Sequence, residues 1–169
     1  MLRLSPKHGY EIARSLQQDG LPDVTWIEQN VLYSYLKTLE SRGLIAGHEE
    51  RPGSHPPRRV FQLTPKGEEV VDAWLRRPVE RLREVRLEFM LKLYFLHRLD
   101  GAAERELLNA QLASLDGYID RIAGRLSAAN SHGFERLVLG SKASAASATR
   151  GWLQGYAMEL GALPAGTLS

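Results

Sequence analysis

The sequence predicts a mainly α-helical protein that contains one small β-hairpin. Apolar residues recur every three or four positions through most of the 169-residue chain, and this is the spacing of an amphipathic helix. The pattern becomes strand-like only between about residues 44 and 64, and after about residue 65 it is helical again. The change of period predicts two domains, a mixed one over residues 1–77 and an all-helical one over residues 78–169.

The first two predicted elements are helices, of which the first is short. Apolar residues between Tyr10 and Leu16 have helical spacing and predict a helix of about 11 residues that ends at the turn formed by residues 20–22. In the second helix the apolar positions are Ile27, Val31, Leu32, Tyr35, Leu36 and Leu39. Gly43 follows where a helix carboxyl cap favours a residue that tolerates positive φ. The second helix is therefore predicted to be amphipathic and to end near Gly43.

A β-hairpin is predicted next. Leu44 and Ile45 lead into one strand, and residues 60–64 are β-branched, aromatic or alternating, as in a second strand. The prolines of residues 51–57 cannot donate to a strand ladder, so that stretch is predicted to be the loop at the tip. Thr64 and Pro65 then predict a helix start, with Pro at the first helical position, and Pro78 is predicted to end that helix after about Arg76.

The second half of the chain predicts a helical bundle. Residues 86–96, within a predicted helix from Val79 to Leu99, are apolar on almost every side, which is typical of a helix surrounded by protein. A heptad seam follows at Leu108, Leu112, Leu115, Ile119, Ile122, Leu126 and Ala129. Such a seam needs a partner helix, which could belong to the same chain or to a second copy.

The last segment, residues 134–160, is rich in small residues. Between residues 140 and 151 it resembles a flexible linker. Alanine is nevertheless the best helix former, and small side chains let two backbones approach closely. We favour a packed helix that ends in Trp152, Leu153, Tyr156 and Leu160.

A short helix, a turn, a second amphipathic helix and a basic-tipped hairpin follow one another in the order of a winged helix-turn-helix domain. In such a domain the second helix lies in the major groove, and the hairpin tip, or wing, reaches phosphates or the minor groove. The exposed polar residues of the second helix are Gln29, Asn30, Ser34, Lys37, Thr38 and Ser41. These residues alone would also fit an ordinary solvated helix face. The neighbouring wing, with Arg58 and Arg59, favours DNA recognition.

Three motifs resemble the winged-helix signature of PadR-type transcriptional regulators. They are Lys-His-Gly-Tyr-Glu-Ile at residues 7–12, Val-Leu-Tyr-Ser-Tyr-Leu-Lys-Thr-Leu-Glu-Ser-Arg-Gly-Leu-Ile at residues 31–45, and Arg-Arg-Val-Phe-Gln-Leu-Thr-Pro-Lys-Gly at residues 58–67. Residues 85–95 and the helices after them are similar to the carboxyl-terminal, Vir-type helical domain of many members. The resemblance therefore covers essentially the whole chain.

The chain departs from the family pattern at three places. Members usually have a longer helix ahead of the His-Gly-Tyr motif, where only residues 1–6 stand here. Ser34 stands where the family frequently has Pro, and Phe61 stands where it frequently has Tyr. Either exchange preserves shape and could remove a contact.

The resemblance implies a DNA-binding repressor that acts as a homodimer with interlocked carboxyl-terminal helices, and some members release DNA when a small aromatic molecule binds. Two recognition helices held roughly 34 Å apart would read a palindromic operator. The predicted DNA-binding residues are Lys7, His8, Tyr10, Gln29, Asn30, Tyr33, Ser34, Lys37, His55, Arg58 and Arg59. The predicted dimerisation residues are Leu108, Leu112, Leu115, Ile119, Ile122 and Leu126. Trp152 and Tyr156 are candidate effector-binding residues, with ordinary core packing as the alternative.

Several other classes of protein are disfavoured. The chain has no cysteine, which excludes disulfides, thiolate metal sites and a cysteine nucleophile. The histidines, His8, His48, His55, His97 and His132, show no metal-ligand spacing. Neither a phosphate-binding glycine loop nor a nucleophile elbow is present. We therefore expect no enzyme activity, no cofactor and no metal, and the lack of a long apolar run predicts a cytoplasmic protein without membrane contact.

Net charge does not decide the partner. The chain carries 22 basic and 20 acidic residues, a formal charge of +2, so any attraction to nucleic acid must be local. The rival hypothesis is a winged-helix module that binds protein and not DNA. A basic surface shared by the second helix and the wing would favour DNA, whereas acidic or apolar cover would favour protein.

Overall fold

The computed structural model describes residues 1–51, 58–128 and 133–161. Its contacts divide the chain into two compact units. The winged-helix unit consists of Met1–Arg77 with Met90–Leu99, and the helical unit consists of Pro78–Phe89 with the described residues from Asp100 onward. Residues 90–99, which the sequence analysis placed in the second domain, thus group with the first unit.

The winged-helix unit contains five helices and three strands among its described residues. They are β1 Lys7–His8, α1 Gly9–Ser15, α2 Leu21–Val24, α3 Gln29–Ser41, β2 Ile45–Glu50, β3 Arg58–Leu63, α4 Pro65–Arg76 and most of α5 Glu88–Leu99. The first helix, α1, has 7 residues instead of about 11. Residues 20–22, which were predicted to form the turn that ends it, instead form the start of helix α2. Gly20 adopts φ +76° as its amino-terminal cap, and Pro22 lies in its first turn, where a missing N–H costs nothing.

The sheet holds the wing against the start of the chain. The predicted hairpin is confirmed, with β2 and β3 antiparallel from the pair Ile45 and Leu63 to the pair Glu50 and Arg58. The short strand β1 was not predicted, because a segment of two residues carries no periodic signal. It pairs with β3 in the order β1-β3-β2 and places His8 opposite Val60.

The core of the winged-helix unit is a cluster of Ile12, Leu32, Leu36, Ile45 and Phe61. Fewer apolar side chains of α3 are buried than its spacing predicted, since Val31 is 38% exposed and Tyr35 is 56% exposed. Both predicted caps are confirmed. Gly43 follows α3 with φ +67°, and the Thr64 hydroxyl accepts a hydrogen bond from the Gly67 amide at 3.1 Å.

The helical unit contains a 3₁₀ helix, Leu82–Arg86, and two long helices, α6 Gly101–Ala128 and α7 Phe134–Glu159. The single helix predicted from Val79 to Leu99 is wrong, because Leu87 leaves helical geometry with φ −118° and ψ −80° between the 3₁₀ helix and α5. The helix favoured for the segment rich in small residues is confirmed as α7.

The heptad seam has a partner helix within the chain. Helix α6 packs along α7, and Leu108, Leu112, Leu115 and Ile122 are buried in the single chain, with Ile119 and Leu126 half-buried. The seam therefore no longer argues for a second copy, and the dimerisation role of these six residues stays a prediction. Ala129 and His132 lie outside the described residues.

No helix in the described ranges is long and apolar enough to cross a membrane. In the same ranges, no three histidine, aspartate or glutamate side chains lie close enough together to hold a metal ion.

Candidate nucleic-acid interface

Four predicted DNA-binding residues from four elements, β1, α1, α3 and β3, meet on one face of the winged-helix unit. We name this group, His8, Tyr10, Tyr33 and Arg58, the aromatic–arginine cluster. The His8 and Tyr10 rings stack with centroids 5.4 Å apart and planes inclined by 11°. The Arg58 guanidinium lies 5.8 Å from the Tyr10 ring centroid, and its Nη1 donates to the Tyr10 hydroxyl at 3.5 Å.

Glycine at position 9 lets Tyr33 join this cluster. A Cβ atom added to Gly9 would lie 2.7 Å from Cε1 of Tyr33, closer than real side chains approach. Tyr33 is still 43% exposed and Tyr10 is 47% exposed. Exposed aromatic rings beside a guanidinium can stack on sugars or bases, while the charge meets phosphate.

The polar face of α3 is exposed as predicted. Gln29, Asn30, Ser34 and Lys37 are all exposed in the first two turns or just beyond. The Asn30 side-chain oxygen accepts a hydrogen bond from the Val31 amide at 2.7 Å. This bond leaves the side-chain nitrogen of Asn30 available to a base edge.

Arg59 is tied to α3 by Glu40. The Arg59 Nη2 donates to Oε1 of Glu40 at 2.6 Å, and the same oxygen accepts the Gly47 amide at 3.0 Å. The hydrogen bond from Arg59 holds the pKa of the Glu40 carboxyl below its usual value. The ionised Glu40 therefore links the end of α3 to both strands of the wing.

The wing is less basic than its arginines suggested. In the strand register Glu49 lies opposite Arg59 and Glu50 lies opposite Arg58. Arg51 also lies near Glu49, with 3.7 Å between Nη2 and Oε2. Because each strand arginine lies opposite a glutamate and Arg59 is also paired with Glu40, the described part of the wing offers less positive charge than its arginines alone suggest.

Sequence reasoning missed two residues of the winged-helix unit. Trp26, just ahead of α3, is 71% exposed, and a large aromatic side chain outside the apolar spacing of the second predicted helix was the signal that could have found it. Glu40 gave no such signal, because its partner is distant in sequence. Lys7 is half-buried beside Phe61 in the sheet, and His55 lies outside the described residues.

The two candidate effector residues of the helical unit have different surroundings. Trp152 is 46% exposed. The Tyr156 hydroxyl donates to Oε1 of Glu104 on α6 at 2.7 Å, and Glu104 is only 2% exposed. Burial, with the neighbouring Glu104, raises the pKa of Tyr156, so that its hydroxyl stays protonated as a donor.

Comparison with known proteins finds one family model and several similar proteins. Residues 1–73 match the family model described as "Transcriptional regulator PadR-like family". The negative transcriptional regulator PadR of Bacillus subtilis (strain 168) is 26% identical over 124 residues, which span 73% of this chain and 68% of that protein. A crystal structure of Bacillus subtilis PadR in complex with operator DNA is similar at 23% identity and a TM-score of 0.45, covering 96% of this chain and 93% of that one. Its complex with p-coumaric acid is similar at 24% identity and a TM-score of 0.39, covering 94% and 90%.

Proposed function

Residues 1–73 are a domain of the PadR-like family of transcriptional regulators, and from that premise we propose that this chain is a cytoplasmic repressor that binds double-stranded DNA as a homodimer. Its operator is palindromic, because two copies related by a two-fold axis present two equivalent recognition helices. The chain acts by occupying DNA and has no catalytic role.

The observation that carries the proposal is the convergence of the aromatic–arginine cluster with the polar face of α3. Tyr33 belongs to both surfaces, since it lies on α3 and reaches Gly9. In our proposal Gln29 and Asn30 read base edges, Lys37 and Arg58 bind phosphates, and the rings of the cluster pack on the sugar-phosphate backbone.

The dimer forms, in our proposal, through the exposed face of α7. This face is an uncharged row at spacings of four and three residues: Leu137, Ser141, Ser144, Ala148, Gly151 and Gly155, all exposed. Phe134, 80% exposed, and Trp152 flank it. Small side chains at heptad spacing let a second helix approach closely, and exposed aromatic side chains at the margins supply apolar area.

A small aromatic effector that releases the DNA completes the proposal. Trp152 lies beside the small residues of α7 and is the residue best placed to stack on a flat molecule, with Tyr156 one turn away. Titration of tryptophan fluorescence with planar phenolic compounds tests this part. An equal response from the wild type and from Trp152→Phe would count against it.

Selection of bound fragments from random DNA, with the mass of the free protein measured in solution, tests the regulator itself. We expect a dimer and a consensus with two-fold symmetry. A monomer, or the absence of any enriched sequence together with a flat salt dependence, would reject the proposal.

The absence of an enriched sequence, together with a flat salt dependence, would favour the rival hypothesis of a protein-binding module. The exposed Trp26 and Tyr33 would offer apolar contacts to such a partner. In that case Asn30→Ala would leave partner binding unchanged, whereas Trp26→Ala would weaken it.

A further inference from the structure

A short turn ahead of α2 has an unusual backbone conformation. Asp19 has φ +56° and Gly20 has φ +76°, so two successive residues lie in the left-handed region. Among the described residues, Asp19 is the one residue other than glycine with a positive φ. This conformation is unfavourable for a residue with a Cβ atom, although aspartate tolerates it better than most. It persists where neighbouring groups hold it in place.

Two side chains of α5 hold Asp19. The Tyr94 hydroxyl donates to Oδ2 of Asp19 at 3.2 Å, and Nη2 of Arg98 donates to the same oxygen at 3.1 Å. The Arg98 guanidinium also lies 3.8 Å from the centroid of the Tyr94 ring, and its Nη1 donates to the Tyr94 carbonyl at 3.1 Å. Arg98 is therefore held on its own helix in a position to bind the carboxylate. We name this group, Asp19, Tyr94 and Arg98, the Asp19 clamp, and all three residues belong to the winged-helix unit.

The clamp lies at the surface of the unit. The Asp19 side chain is 56% exposed and that of Arg98 is 35% exposed. An exposed ion pair contributes little to the free energy of folding, because water screens the charges and two side chains lose freedom. The core around Leu32 and Leu36, and not the clamp, therefore keeps the domain folded. What the clamp fixes is the position of the turn between α1 and α2.

This turn leads directly towards the amino-terminal end of α3. Helix α2 has four residues, of which only Leu21 is buried. Residues 25–28 connect α2 to α3, and Thr25 and Glu28 at the two ends of this connection are extended. So short a helix, with one buried side chain, depends for its position on the turn before it.

The two ends of α3 are held differently. The carboxyl-terminal end is tied to the wing, because Glu40 binds Arg59 and the Gly47 amide. At the amino-terminal end, no side-chain hydrogen bond in the described part of the chain joins residues 28–30 to another element. This end carries two of the predicted base-reading residues, and its position therefore depends on α2 and on the turn that the clamp holds.

We propose that the Asp19 clamp is a positioning device for DNA recognition, which fixes the amino-terminal end of α3 so that Gln29 and Asn30 meet base edges. None of the three clamp residues touches the DNA. The effect on DNA rests on the proposed function, whereas the positioning of α3 does not. Without the clamp, the end of α3 must be ordered when DNA binds, and this ordering lowers the affinity. Phosphate contacts made elsewhere on the unit remain.

Two conservative variants disrupt the clamp. Asp19→Asn keeps a short polar side chain that tolerates positive φ and removes the carboxylate. Arg98→Met keeps an unbranched side chain and removes the guanidinium. Each should lower the affinity for an operator duplex from the random-DNA selection by about threefold to tenfold. The affinity for a mixed-sequence duplex and the salt slope of operator binding should stay unchanged, because phosphate contacts set both.

The double variant and a matched control test the assignment. Asp19→Asn/Arg98→Met should lose no more operator affinity than the weaker single variant, because the two side chains act as one clamp. Glu135→Gln removes an exposed ion pair of the same kind, formed with Arg125 at 2.9 Å in the helical unit, and should leave operator affinity unchanged. Additive losses, an equal loss in the control, or equal losses for the operator and the mixed-sequence duplex would overturn the proposal.

NMR of the free protein decides the positioning step without DNA. The side-chain amide signals of Gln29 and Asn30 should shift or broaden in both clamp variants and not in Glu135→Gln. Urea titration checks that each variant is folded, and Arg98→Met carries the test if Asp19→Asn is not. Unchanged signals in the folded variants would overturn the proposal. If the wild type binds no DNA, the proposed function is rejected, and these signals still decide whether the clamp positions α3.

Discussion

The two units expose opposite kinds of surface. The winged-helix unit shows aromatic rings, amides and arginines around Tyr10 and Asn30, whereas the outer face of α7 shows small and apolar side chains from Leu137 to Gly155. Polar groups at the first surface can bond directionally to a structured polyanion. The second surface offers close approach without charge, which suits another helix. In the proposed function, recognition therefore belongs to the winged-helix unit and assembly to the helical unit.

The largest expected effect comes from charging the α7 face. Ala148→Arg places a cation in the centre of the uncharged row, so the dimer should dissociate in sedimentation measurements. DNA affinity should then fall by about a hundredfold or more, because the two winged-helix units are no longer linked and each must bind its half-site separately. Ala113→Arg, at an exposed position of α6, is the matched control. If the control dissociates and Ala148→Arg does not, the interface lies on α6.

The next effect concerns the wing. Replacing Arg58 and Arg59 together by alanine should weaken binding to all sequences by roughly tenfold or more and reduce the salt slope by up to about two. The single variants sharpen the comparison, because Arg59 is tied to Glu40 and Arg58 is not. We expect most of the loss from Arg58→Ala. An unchanged salt slope in the double variant would reject the wing as a phosphate contact.

In the helical unit, replacing Tyr156 is expected to lower the stability of the fold. Tyr156→Phe removes the hydroxyl that donates to the buried Glu104, and should lower the free energy of unfolding by about 1–3 kcal/mol in urea titration. Tyr118→Phe, on the half-buried side of α6, is the control. If Tyr156→Phe is as stable as the wild type and instead loses its response to aromatic compounds, the residue serves the effector after all.

These cases show which features were predictable from sequence. The caps at Gly43 and Thr64 were predicted because each depends on a few adjacent residues. The heptad seam was recognised, but its spacing could not say which helix covers it. That answer depends on α7, whose small residues had suggested a linker as well as a helix.

The candidate interface likewise has features that the sequence predicts and features that it does not. The exposure of Gln29 and Lys37 follows from helical periodicity. The contact of Tyr33 with Gly9 and that of Glu40 with Arg59 join residues 24 and 19 positions apart. Such contacts depend on tertiary packing, which a periodic pattern does not encode.

A smaller effect is expected at a single base position. Asn30→Ala should relax discrimination at one position of the consensus by about 1–3 kcal/mol and leave the salt slope unchanged. Gln17→Ala, exposed outside the proposed interface, is the control. A uniform loss across all sequences would show that Asn30 supports the helix start through the Val31 amide and does not read a base.

The smallest effect is the pH dependence of the link between α3 and the wing. The folded protein holds the pKa of Glu40 below its usual value through the Arg59 hydrogen bond. The link is therefore fully present above the ordinary pKa of a glutamate and is lost as the pH falls through the lowered folded value. Carbon NMR of the Glu40 carboxyl should show this depressed titration, and Arg59→Ala should return the pKa towards its ordinary value. If Arg59→Ala leaves it depressed, the hydrogen bond from the Gly47 amide, and not that from Arg59, keeps the carboxyl ionised.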